Sequence, residues 1–205
     1  MEIRERIIKE AFTLFIKYGI RGVTMDQIAC ELGISKRTLY ENFEDKNTLL
    51  INGIEHFRKI KHSEAVDMLK NCDNVVESLY FIGRHGEEFR KKVNPLFFED
   101  IRKFYPEIHS KITDKSLDKE YPLMETMFRK GITEGVFKKE LNSELIAAFW
   151  HQVMTIFMNE EMFPRERYTQ KELLLNLIIP YLKGISTDKG QKLIEKYFEN
   201  EINHN

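Results

Sequence analysis

Cysteine is scarce in this sequence: Cys30 and Cys72 are the only two in 205 residues, with no CxxC pair and no disulfide framework. That argues against a secreted, disulfide-stapled domain and for a reducing compartment. Long hydrophobic runs are missing too. The longest apolar block, LLLNLIIPYL at 173–182, falls short of the ~18 uncharged residues of a membrane-spanning helix. The N-terminus, MEIRERIIKEAF, is charged from its second residue and lacks the apolar run of a signal peptide. Together these absences predict a cytoplasmic protein. Net charge is close to nil at −1, and even residues 1–50 set eight Lys or Arg against eight Asp or Glu. Any contact with nucleic acid must therefore rest on local arrangement of charge and not on an overall excess.

Catalytic motifs are absent as well. There is no P-loop, GxGxxG, HExxH or GxSxG. The six histidines show no metal spacing, since His56 and His62 stand six apart and fall on different faces of a helix. Cys30 has no basic neighbour close in sequence to activate its thiol, which disfavours thiol-based sensing. The expectation is a protein that is not an enzyme, with no cofactor and no metal.

What is present is helical. With 42% hydrophobic and 12% aromatic residues the chain can build a sizeable core, and its apolar residues recur at a period of 3.6 with no strand alternation and no internal repeat. Ile3, Ile7, Ile8, Ala11, Phe12 and Phe15 share one face of a first helix that stops at Gly19. Thr24, with Gln27 three residues on, makes a capping box for a second helix, and Ile28, Ala29 and Leu32 form its inner face. Gly33 suits the left-handed end of that helix, and Ser35 suits the cap of a third. A long helix runs from Asp45 to about Lys70. Asn74 with Glu77 opens another, which Gly83 and Gly86 are expected to loosen. Asn94-Pro95 starts the next, ending at Pro106. A stretch to about Gly131, kinked at Pro122, is followed by apolar helices near 143–159 and 170–183 and a short one near 189–199. The reading is all-α, with roughly nine or ten helices.

Ala29, Gly33 and Leu39 carry the functional signal. A helix-turn-helix needs a small residue where its helices cross, a positive-φ residue in the turn, and an apolar residue that pins the second helix to the first. Spacings of four and six residues meet these demands, with Ile28, Leu32 and Ile34 filling the core beside them. In such a motif the second helix points its first residues at base edges in the major groove. Lys36 and Arg37 then become exposed donors, and Arg is the usual bidentate partner of guanine. Leu39 and Phe43 face inward. Lys46 brings an ammonium to the free amides of the next helix start and can meet a phosphate, as can Thr24 from the second helix.

Thr24, Ile28, Ala29, Gly33, Ile34, Ser35, Thr38, Leu39, Tyr40, Phe43 and Lys46 together resemble the N-terminal domain of TetR-type (tetracycline-repressor-like) transcriptional regulators, over about residues 5–50. Beyond this motif the resemblance is one of layout. Two positions depart from it: Arg37 stands where many members have Gly, and Asn42 where His or Tyr is frequent, so operator sequence does not carry over. The resemblance implies a three-helix headpiece over 1–47 and a larger helical effector and dimerisation domain over 48–205. It implies a DNA-binding set of Thr24, Ser35, Lys36, Arg37, Thr38, Tyr40, Asn42 and Lys46, with Thr38 and Tyr40 donating hydroxyls to phosphates. It also implies a homodimer on a palindromic operator, and repression relieved by a small apolar or amphipathic effector.

Within 48–205 the run Leu173, Leu174, Leu175, Leu177, Ile178, Ile179 and Leu182 is apolar nearly all round and must be covered on two sides. Paired with the preceding helix, it gives a candidate dimer interface of Phe149, Val153, Leu173, Leu174, Leu177, Ile178 and Tyr181. Phe81, Phe97, Phe98, Met124, Phe128, Trp150 and Met154 are candidates to line an effector cavity, with His85, His109 and His151 able to orient a polar ligand group. A regulator governed by a protein partner, or a helical binding protein that does not bind DNA, stays open as an alternative.

Overall fold

Spacing of three and four residues places Ile7, Ile8, Ala11, Phe12 and Phe15 on the buried face of helix α1 (Ile3–Tyr18) in the computed structural model of the protein. The structure describes residues 2–113, 120–157, 162–164 and 166–199. Helices α2 (Met25–Leu32), α3 (Lys36–Asn42), α4 (Lys46–Asn71) and α5 (Val75–Lys92) follow α1. Next come α6 (Pro95–Phe104), α7 (Pro106–Thr113), α8 (Glu120–Thr133) and α9 (Ser143–Phe157). The series ends with α10 (Gln170–Leu173), a π-helical turn (Leu174–Ile178), α11 (Ile179–Ile185), α12 (Asp188–Ile194) and a second π-helical segment (Glu195–Glu199). The fold is all-α, as the hydrophobic period predicts. Among the described residues the one β pairing is an isolated bridge between Phe137 and Ser186.

Start signals in the sequence act where expected. Asn94 Oδ1 accepts the Leu96 N–H at 2.9 Å with Pro95 in the first turn of α6, and Asn74 Oδ1 accepts the Glu77 N–H at 3.0 Å at the head of α5. Glu77, however, reaches the N–H of Asp73 at 2.7 Å, one residue before the position a capping box would give it. Three other expectations need revision or fall aside. Gly83 and Gly86 do not loosen α5, which runs through both without a break. The stretch expected to reach Gly131 is described as α7 and α8; residues 114–119 between them lie outside the described residues, and Pro122, the expected kink, stands in the first turn of α8. So do residues 158 and 159, the expected end of α9.

The helix expected over 170–183 is also not a plain α-helix, and Pro180 accounts for this. Proline offers no N–H to the carbonyl of Asn176 four residues back, and its ring crowds that carbonyl. The turn before it opens by one residue, so the Ile179 N–H bonds to the carbonyl of Leu174, five residues back.

The chain forms two compact units, Met1–Glu64 with His85–Leu117, and Ala65–Arg84 with Asp118–Asn205. They do not divide at residues 47–48. The first unit takes in α6 because Val93, Phe97, Ile101 and Ile108 are buried in one core with Phe12, Phe15, Leu39 and Leu49. The second unit has its own core, around Val75, Leu79, Met127, Phe128, Phe137, Trp150, Leu182 and Ile194.

Candidate nucleic-acid interface

The first unit builds a helix-turn-helix from α2 and α3. Thr24 Oγ1 accepts the Gln27 N–H at 3.2 Å while Gln27 Oε1 accepts the Thr24 N–H at 2.8 Å, the reciprocal pair that starts α2. Gly33 ends α2 at φ 63°, ψ 33°, a left-handed conformation that costs a residue with a Cβ. Its N–H bonds to Cys30 O and that of Ile34 to Ala29 O, each at 3.0 Å. From α1, Arg6 Nη2 donates to Leu32 O at 2.8 Å and satisfies one more carbonyl at this helix end. Ser35 Oγ then accepts the Thr38 N–H at 3.0 Å and starts α3. Leu39 is wholly buried and Phe43 nearly so, so α3, too short to hold its shape alone, is fixed by its inner face. Lys36, Arg37 and Tyr40 stand exposed on the other side.

Each cation on that face has a carboxylate beside it. Lys36 Nζ lies 2.5 Å from Asp26 Oδ2 on α2, and Arg37 Nε lies 2.8 Å from Glu41 Oε1 one turn along. The Arg37 side chain is 88% exposed, so the pair is held weakly and can be exchanged. Thr24 and Ser35 are exposed with their hydroxyls engaged in caps. Thr38 and Asn42 are half-buried, and Asn42 Nδ2 donates to Thr38 O at 2.9 Å.

Lys46 departs from expectation. Its ammonium does not stand free at the start of α4 but turns inward, donating to Ile20 O at 3.1 Å and Val23 O at 3.0 Å. Burial lowers its pKa, with the charge of Asp100 acting in the opposite sense. The reason is the turn between α1 and α2, whose carbonyls lack helical partners and take the nearest cation. The first turn of α4 is served instead by Asp45, whose Oδ1 accepts the Thr48 N–H at 2.7 Å. That bond holds its carboxyl below the usual range.

Sequence reasoning missed the residues that brace this unit from afar. Asp100 Oδ2 accepts the Arg21 N–H at 2.8 Å across 79 residues. Asn94 donates its backbone N–H to Ile16 O at 2.9 Å and its side chain to Lys17 O at 3.2 Å. No local pattern announces such pairs. Asn94 reads only as a helix cap, and Asp100 as one more solvated acid.

The seven residues expected around an effector cavity are shared between the two units. Phe97 and Phe98 belong to the first unit and the other five to the second. Phe97 is buried edge-on against Phe12, centroids 5.8 Å apart. Phe128 and Trp150 pack edge-to-face at 5.9 Å within the second core, and Met124 and Met154 lie against that core half-buried. Phe81 and Phe98 are exposed. Aromatic and methionine content marked core here, because filling a helical interior calls on the same side chains as lining a cavity.

The expected dimer face divides. Phe149 is 54% exposed and Leu177 41% exposed, while Leu173 and Ile178 are buried in the second unit's own core and cannot meet a partner. One face of the 170–185 segment must close its own core before any other face is free. Val153, Leu174 and Tyr181 are half-buried, and the rings of Phe149 and Tyr181 pack at 5.3 Å, joining α9 to α11. Burial pushes the Tyr181 phenol pKa up. Leu145, at 68% exposed, and Ile156, both on the helix expected to pair with this segment, extend the same apolar face.

Residues 7–52 match the family model of bacterial regulatory proteins, tetR family. A helix-turn-helix transcriptional regulator of Bacillus subtilis (strain 168), YerO, itself uncharacterized, is 35% identical over 101 residues, 49% of this chain and 32% of that protein. This chain thus matches only about a third of that relative's length. A helix-turn-helix transcriptional regulator of Staphylococcus aureus (strain USA300) is 27% identical over 179 residues, covering 78% of this chain and 94% of that one. The crystal structure of a tetR-family transcriptional regulator from Cytophaga hutchinsonii shares the fold at a TM-score of 0.68 and 17% identity, over 91% of this chain and 96% of that one. No helix among the described residues is long and apolar enough to cross a membrane. Helix-turn-helix geometry and matched residues agree: residues 7–52 form a segment of the tetR type of bacterial regulatory proteins, and the chain as a whole shares the all-helical fold of a tetR-family transcriptional regulator.

Proposed function

We propose that the protein is a homodimeric repressor whose two α3 helices read a palindromic operator and whose release is governed by a small apolar or amphipathic effector. The observation that carries the DNA half is the build of α3. It is capped by Ser35, pinned by buried Leu39, and presents Lys36, Arg37 and Tyr40 outward. In this reading Arg37 and Lys36 leave their surface carboxylates for base edges and phosphates, and Tyr40, Thr38 and Thr24 contribute hydroxyls. Selection of bound DNA from random fragments tests it. A palindromic motif with half-sites one helical turn apart is expected, and recovery of unrelated sequences would overturn it.

The dimer rests on the exposed row Leu145, Phe149, Ile156 and Leu177, an apolar face of the kind that a monomer seldom leaves to water. The effector reading draws on His62 of α4, whose buried Nδ1 has no hydrogen-bond partner in the protein. An unmet buried polar atom is costly and is a natural anchor for a ligand group. A thermal-shift screen followed by affinity measurements with and without operator tests this half. Reciprocal weakening is expected, and equal affinities would favour control by a protein partner.

A further inference from the structure

Asp100 is a buried carboxylate, 8% exposed, on a helix outside the helix-turn-helix motif. Burying a charge is costly unless something in the fold uses it, and here the user is the turn that leads into α2. Its Oδ2 accepts the N–H of Arg21 at 2.8 Å. The Arg21 guanidinium in turn lies over the ring of Phe104, 4.1 Å from its centroid, at the far end of the same α6. At the near end Asn94 holds Ile16 O and Lys17 O. Between them Gly19 adopts φ 80°, and a Cβ there would stand 3.1 Å from Leu96 Cβ and 3.4 Å from Asp100 Oδ2. The turn is therefore seated on α6 along its length. From the other direction Lys46 grips Ile20 O and Val23 O, and the next residue, Thr24, caps α2.

We propose that Asp100 is a positioning residue for DNA binding: by fixing the Arg21 amide it sets the turn that aims α2, and with it α3, at the operator. The inference rests on the reading of α3 given above. Asp100 touches no DNA itself. Its carboxylate neutralises part of the charge that Arg21 and Lys46 gather at the turn, and it supplies an acceptor that the turn lacks. Asn can supply the same acceptor without the charge, whereas Ala supplies neither.

The test compares wild type, Asp100→Asn and Asp100→Ala in operator affinity, far below their melting temperatures, using the DNA recovered from selection. Asp100→Ala is expected to bind about tenfold more weakly, the scale of one lost charge-assisted hydrogen bond, and Asp100→Asn to recover most of that loss. In amide hydrogen exchange the Arg21 N–H is expected to be protected in wild type and in Asp100→Asn. A folded Asp100→Ala with wild-type affinity would overturn the proposal. If that variant does not fold, an Arg21 amide exchanging freely in wild type, or an Asp100→Asn as weak as a scrambled-DNA control, would do so. Failure of wild type to select any DNA would instead overturn the reading of α3.

Discussion

The helix-turn-helix and the α9–α11 pair solve opposite surface problems. In the first, the large apolar side chains of α2 and α3 point into the core, and what faces water is hydroxyls, one tyrosine and cations each matched by a carboxylate. In the second, the core is just as complete, yet Leu145, Phe149, Ile156 and Leu177 remain outside it. A polar face with exchangeable ion pairs suits a partner that is bound and released. An apolar face suits one that stays. The difference teaches that one chain can be read for two kinds of partner by asking which side chains its own core declines to take.

The strongest way to break this comparison is Leu177→Glu. Because Leu177 is already 41% exposed within the chain, the variant should fold, but sedimentation should show a monomer. Operator affinity should fall by a factor on the order of 10²–10⁴ as linked half-sites become independent. A folded dimer of full affinity would show that the apolar face serves another purpose. Arg37→Ala sharpens the polar side: about 1–3 kcal/mol is expected to be lost on operator, with base preference relaxed at one position per half-site. Equal loss on scrambled DNA would deny Arg37 a base. Lys46→Ala separates bracing from binding. The carbonyls of Ile20 and Val23 lose their donor, and about 1 kcal/mol of stability should go, seen as a lower melting temperature. An unchanged melting temperature with uniformly weaker DNA binding would return Lys46 to a phosphate role.

Asp45→Ala is the mildest, at about 0.5–1 kcal/mol for a lost helix cap. The Asp45 carboxyl has a lowered pKa in the fold. Its contribution is therefore present above the unfolded value of about 4 and fades as pH falls through the lower folded one. Melting curves of variant and wild type should accordingly converge in acid, and a gap that persists there would assign the effect to packing.

Local signals were legible and distant ones were not. Thr24 with Gln27, Gly33 and Ser35 announced the helix-turn-helix because each acts on backbone three or four residues away. The exposure of Lys36 and Arg37 followed from the inward period of Leu39 and Phe43. By contrast Lys46 turned inward for carbonyls 23 and 26 residues behind it, and Asp100 found its partner at a separation no spacing rule covers. The apolar run at 173–182 called for cover on two sides, and the chain's own core covers Leu173, Ile178, Ile179 and Leu182. Which side belonged to the core depended on a π-turn before Pro180, which shifts the register by a residue and which hydrophobicity alone does not reveal. The aromatic-rich helices were harder to read because composition does not distinguish a filled interior from a hollow one.

The pairing of Lys36 with Asp26 and of Arg37 with Glu41 also bears on how the protein responds to ionic strength. A cation that meets DNA ordinarily sets free the small ions condensed on a phosphate, and the number released fixes how steeply affinity falls with salt. On the proposed reading, two of the donors, Lys36 and Arg37, arrive with tethered counter-ions of their own. When Lys36 and Arg37 turn to DNA, Asp26 and Glu41 are left bare and gather cations from solution, taking back part of what the duplex gave up. The proposed reading therefore predicts a dependence of binding on salt that is shallower than the number of phosphate contacts would indicate.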